Sequence, residues 1–87
     1  MMYTVKFKAS VKKDWRKIPV SFRRNIEIAL SELRVNPTPI DSRQLHGYSH
    51  CYRIRVGNFR IIYEIHTEVR IVRIIRIQDR KDAYKGL

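Results

Sequence analysis

The stretch CYRIRVGNFRIIYEI, residues 51–65, alternates apolar and charged side chains up to Gly57-Asn58 and keeps a near-alternation beyond it. A period of two sends successive side chains to opposite faces of a strand. Two such runs joined by Gly-Asn read as a hairpin with a two-residue turn, Gly supplying the positive φ. The turn then dictates the register: Val56 opposite Phe59, Arg55 opposite Arg60, Ile54 opposite Ile61, and Tyr52 opposite Tyr63. One face carries Tyr52, Ile54, Val56, Phe59, Ile61 and Tyr63 and packs on the rest of the domain. The other carries Arg53, Arg55, Arg60, Ile62 and Glu64, with two guanidinium groups directly across from each other. Like charges in that register are destabilising, by roughly 0.2–1 kcal/mol on the scale of cross-strand pairs.

Working outward, three strands are expected at 51–57, 58–66 and 69–77. The last, VRIVRIIRI, is apolar on both parities except at Arg70, Arg73 and Arg76, the pattern of a central strand covered on both faces. Upstream, NPTPIDSRQLHGYSH (36–50) has two prolines, a glycine and little periodicity, and reads as a long connection of the kind that is often functional. Before it, Phe22, Ile26, Ala29, Leu30 and Leu33 form one apolar stripe at helical spacing after Ser21, ended by Asn36-Pro37-Thr38-Pro39. A shorter helix, capped by Ser10 and bearing Val11, Trp15 and Ile18, is broken by Pro19. YTVKFK (3–8) alternates as a short strand. The expected fold is α+β: an N-terminal strand, a two-helix hairpin, then a three-stranded antiparallel meander, with the helices packed on one sheet. At 87 residues the chain is read as a single domain, 1–87.

Charge narrows the function. With 19 Lys and Arg against 8 Asp and Glu, the net charge is +11, which favours a polyanionic or acidic partner. Hydrophobic content of 44% supports a folded core rather than disorder. Cys51 is the single cysteine, so no intrachain disulfide forms, and a buried thiol is favoured over a nucleophile. No run suits a signal peptide or a membrane span, so a cytoplasmic location without membrane contact is expected. No His, Cys or Asp cluster has metal-ligand spacing, and no glycine-rich phosphate loop is present, so neither metal nor cofactor is expected.

A single exposed arginine is usually only the solvated side of a strand. Three on one face of so basic a chain favour an anion site, because the guanidinium fork fits phosphate oxygens and a bound phosphate converts repulsion into shared attraction. Arg80 and Tyr84, in DRKDAY just past the last strand, could extend that face. A tyrosine ring there is as compatible with packing at a chain end as with stacking on an unpaired RNA base.

The order of strand, helical hairpin, Asn-Pro loop with Leu45-His46-Gly47, YRIRVGNFRIIYEI, apolar strand and DRKDAY resembles the RelE toxins of the RelE/ParE superfamily of toxin–antitoxin systems, across essentially the whole chain. The resemblance implies a ribosome-dependent endoribonuclease, an mRNA interferase that cuts messenger RNA in the decoding site by 2′-OH attack and so inhibits translation. Matched by position, the family's basic catalytic residues fall on Arg53, Arg55, Arg60 and Arg80, and its C-terminal tyrosine on Tyr84. It also implies a cognate acidic antitoxin, and a toxin–antitoxin hetero-oligomer that binds operator DNA through the antitoxin. Two departures stand out: the best-known member has lysines where Arg53 and Arg55 stand, and many relatives have histidine where this chain has Asp79.

Arginines stabilise a developing negative charge well but transfer protons poorly, since their pKa above about 12 leaves almost no neutral form. The general base therefore stays open among Glu64, His46, His50 and His66, each as readily a structural residue, or catalysis proceeds by positioning and electrostatics alone. Two other readings remain: a ParE-like toxin that inhibits DNA gyrase without nuclease chemistry, and a basic nucleic-acid-binding module.

Overall fold

The hairpin forms with the register its turn dictates. In the computed structural model, which describes residues 2–80, Cys51–Val56 and Phe59–His66 are antiparallel, and all four expected cross-strand pairs occur. Gly57 has φ 59° and Asn58 does not share the positive φ, the pattern of a type II′ turn. In chain order the elements are β1 (Thr4–Phe7), α1 (Val11–Lys17), α2 (Val20–Val35), β2 (Arg43–Gln44), β3 (Cys51–Val56), β4 (Phe59–His66) and β5 (Ile71–Asp79). They build one five-stranded sheet in the order β1-β5-β4-β3-β2, with β1 parallel to β5 and the other pairs antiparallel. The α+β class is as expected, with one strand more: β2 forms inside the 36–50 connection by pairing Arg43 and Gln44 with Arg53 and Tyr52.

The helices lie on one face. Val11 and Ile18 at α1, with Ile26, Ala29 and Leu33 of α2, share a core with Ile54, Phe59, Ile61, Tyr63, Ile65, Val72, Ile74 and Ile77. The α2 stripe is as read from its spacing, and Phe22 at its start meets Phe59 with ring centroids 5.5 Å apart. The helix starts at Val20, two residues earlier than a start after Ser21 implied. Pro19 occupies the N-cap with φ −56°, a geometry its ring presets at a position where no amide hydrogen is needed. Ser10 does precede α1, but its side chain makes no capping bond.

β5 corrects the sequence reading in an informative way. Apolar residues on both parities did not arise from cover on both faces. Ile74 pairs with Tyr63 while Arg76 pairs with Ile62, so Ile75 is an extra residue, a β-bulge. Before it the core-facing residues are Val72 and Ile74; after it the parity switches to Ile77. The strand also begins at Ile71 rather than residue 69, because Arg70 closes the preceding turn in the left-handed region, φ 53°.

β1 ends opposite Ile74, leaving the rest of β5 without a strand on that side. α1 fills the gap. Buried Asp14 accepts the Ile77 amide hydrogen at 2.9 Å through Oδ2, and Arg76 Nε donates to the same oxygen at 3.3 Å. A carboxylate thus stands in for the missing strand, satisfying a backbone donor that burial would otherwise orphan.

Tyr63, fully buried in β4, donates its hydroxyl to the Pro37 carbonyl at 2.7 Å and fastens the start of the 36–50 connection to the sheet. Burial pushes its pKa up to about 12 from 10, against a smaller opposing contribution from Ser42. Because the folded state prefers the neutral phenol, the associated stability is complete below pH 10 and is lost between pH 10 and about 12. Tyr63→Phe is expected to cost about 1 kcal/mol at neutral pH through the lost hydrogen bond. In denaturant titrations its deficit against the unsubstituted chain should shrink as pH rises from 10 to about 12; a deficit independent of pH would refute the assignment.

Candidate nucleic-acid interface

The same alternation that buries one face of the sheet loads the other with cations. By register, the face without helices carries Arg43 of β2, Arg53 and Arg55 of β3, Arg60 of β4, Arg73 and Arg76 of β5, and Lys6 of β1. Glu64 is the one acid at a strand position on it. Arg55 is exposed, whereas Arg53 and Arg60 are half-buried. Two like-charged pairs stand directly opposite in the ladder, Arg55 with Arg60 and Arg43 with Arg53.

The hairpin arginines singled out from sequence are therefore brought together on one surface. Arg80 adjoins them through its main chain: its amide donates to the Asn58 carbonyl at 2.7 Å, placing residue 80 beside the hairpin turn. Tyr84 lies outside the described residues. Arg43, Arg73 and Arg76 complete the face and were missed as site residues. Arg43 gave no signal, since its orientation follows from the β2–β3 pairing. Arg73 and Arg76 gave a misleading one: three residues apart, they would point to opposite sides of a regular strand, and the bulge at Ile75 puts both on the open side.

Carboxylates balance part of this charge. Asp14 holds Arg76, and Glu64 lies 3.8 Å from Arg73 Nη1 and 3.1 Å from His66 Nε2. The His66 ring stacks on His50 with centroids 6.3 Å apart. Glu64 and Arg60 are four residues apart on one strand, about 13 Å at the usual rise, so Glu64 does not serve a group held at the Arg55–Arg60 pair. His46 belongs to an exposed loop, 44–49, that lines an open cleft of about 490 Å³. Burial, and then the Glu64 charge, push the Cys51 thiol up, which leaves it a poor nucleophile. Among the described residues no group of three or more His, Cys, Asp or Glu could hold a metal ion.

On the helical side a groove of about 450 Å³ runs between α1, α2 and the end of β1, floored by Phe7, Val11, Trp15, Leu30 and Ile77 and edged by Lys12, Arg16 and Glu27. No helix among the described residues is long and apolar enough to cross a membrane.

Fold and charge together define a class of small basic α+β domains, with helices on one face of the sheet and arginines on the other. The family model of the ParE toxin of type II toxin–antitoxin systems, parDE, matches residues 5–84, and the chain belongs to this family. The chain is 33% identical to the toxin RelE3 of Methanocaldococcus jannaschii, over 92% of this chain and 93% of that protein. It is 27% identical to the mRNA interferase toxin RelE of Escherichia coli, over 97% of this chain and 92% of the other. The toxin chain of the archaeal RelE–RelB complex from Pyrococcus horikoshii superposes with a TM-score of 0.80 at 27% identity, covering 92% of this chain and 97% of that one. The chain is thus a RelE-type toxin of a toxin–antitoxin system.

Proposed function

We propose that this toxin is a metal-independent endoribonuclease that cuts messenger RNA on the translating ribosome, with Arg53, Arg55, Arg60 and Arg80 gripping the scissile phosphate and Tyr84 stacking on an adjacent base. The observation that carries the reading is the directly opposed Arg55–Arg60 pair on the face of the sheet without helices, a like-charged arrangement that a bound phosphate converts into shared attraction. The mRNA interferase name of the Escherichia coli relative supports the same chemistry. In this reaction the ribose 2′-oxygen attacks the neighbouring phosphorus, a P–O2′ bond forms and the P–O5′ bond breaks. The products are a 2′,3′-cyclic phosphate and a 5′-hydroxyl. Guanidinium donors stabilise the charge that gathers on the phosphoryl oxygens. The protein's share is positioning and electrostatics, and the ribosome aligns the message.

The test is to map RNA ends with and without ribosomes. Fragments that appear only on translating ribosomes and carry 2′,3′-cyclic phosphate are expected; intact messages would reject the reading. The match to the ParE family model favours a second reading, inhibition of DNA gyrase, which predicts DNA breaks with intact messages. A module that merely binds nucleic acid would lose affinity steeply with salt and form no product.

The toxin acts in the cytoplasm, as one domain spanning the chain, and is silenced by an acidic antitoxin. The RelE–RelB complex of the archaeal relative supports such a partner, as does the +11 charge. Bound together they form a hetero-oligomer that reaches operator DNA through the antitoxin. An amphipathic antitoxin helix with acidic flanks complements the apolar groove and its Lys12 and Arg16 edge. Trp15, the single tryptophan, lines that groove, so antitoxin binding there should shift its emission to shorter wavelength. Tight binding with unchanged emission would move the antitoxin elsewhere.

A further inference from the structure

The open face has two rows of arginine across the sheet, and the reading above uses mainly one. The row at the hairpin end runs Arg55, Arg60, Gln78. The next runs Arg43, Arg53, Ile62, Arg76, one residue from each of β2, β3, β4 and β5. The rows are two residues apart along the strands, about 6.6 Å at the usual rise, a separation comparable with one nucleotide of an extended chain.

The ends of the second row differ. Arg76 is charge-balanced by buried Asp14. Arg43 is held by carbonyls rather than by an acid: its Nη1 donates to Ile40 O at 3.2 Å and Ser42 O at 2.9 Å. These bonds fix the guanidinium at the sheet edge without cancelling its charge, and they engage only one of its three nitrogens. Its cross-strand partner is Arg53, so a second like-charged pair is built where the 36–50 connection joins the sheet. Beside that pair, half-buried Ile62 interrupts the cations with an apolar surface suited to the face of a ribose or base.

We propose that Arg43 and Ile62, set beside Arg53, form a second phosphodiester subsite that holds the nucleotide next to the scissile phosphate, so that the interface favours an RNA strand with at least two consecutive phosphates. It rests on the RNA-binding reading, and it adds a residue, Arg43, whose task is binding rather than cleavage.

The test uses the full-length toxin and 2′-O-methyl oligonucleotides, which cannot be cut: a dinucleoside monophosphate and a trinucleoside diphosphate. The trinucleotide should bind tighter, with a slope of log affinity against log salt steeper by about 0.7, the increment for one more phosphate on a single strand. Arg43→Ala should weaken the trinucleotide about tenfold, the size of one charge-assisted contact, while leaving the dinucleotide unchanged. Arg43→Lys should keep part of the gain. Should Arg43→Ala disturb the β2 edge, Arg43→Gln, which keeps a donor for the two carbonyls and removes the charge, makes the same comparison. Equal weakening of both oligonucleotides, or of neither, overturns the subsite. So does a trinucleotide no tighter than the dinucleotide. Cleavage on ribosomes is a separate readout: a trinucleotide gain without cleavage keeps the subsite and rejects the nuclease, and cleavage without the gain does the reverse.

Discussion

Arg60→Ala should lower message cleavage on ribosomes by about 10²–10³-fold, the usual effect of removing one preorganised donor from a developing oxyanion. The stability of the domain should change little in the same variant. Deleting one partner of the opposed Arg55–Arg60 pair relieves a repulsion of roughly 0.2–1 kcal/mol, which offsets part of what the side chain's packing and polar contacts contribute in its half-buried position. The two measurements together discriminate: a residue kept for the fold would lose both activity and melting temperature. Arg60→Lys retains charge but not the planar fork, so an intermediate rate is expected. Full toxicity of Arg60→Ala in cells, with the protein folded, would remove this residue from the site.

Asp14→Ala should have the largest effect on folding of any single polar substitution described here. It leaves the buried Ile77 amide without an acceptor and Arg76 without its carboxylate, a loss of about 2–4 kcal/mol. For a domain of this size that is a fall in melting temperature of about 10 °C or more. Asp14→Asn keeps an acceptor for the amide but no charge for Arg76, and should fall between the two. A melting temperature within about 2 °C of the unsubstituted chain for Asp14→Ala would mean that water, not α1, completes the β5 edge.

Much of the site was legible because a two-residue turn leaves no freedom in register. Once Gly57-Asn58 is a turn, the faces of Tyr52, Arg53, Arg55, Arg60 and Tyr63 follow by counting, and the structure agrees at each. The α2 stripe was legible for a similar reason: its period is set by the helix itself. β5 was not legible. Its apolar residues on both parities suggested cover on both faces, when the cause was an extra residue at Ile75 that reverses the parity halfway along. Nor could sequence find β2, whose two residues have no pattern of their own and become a strand only because β3 offers an edge.

The sequence alone determined what is local: the hairpin and its register, the two helices, the excess of positive charge, and the presence of opposed arginines. Tertiary structure alone decided how far that charge extends. The bulge turned Arg73 and Arg76 to the same side, the β2 pairing added Arg43, and Asp14 reached 63 positions along the chain to the amide of Ile77. The physical reason is that a strand's faces are set by its neighbours' hydrogen bonds, and those neighbours are chosen by burial across the whole chain rather than by the residues on either side.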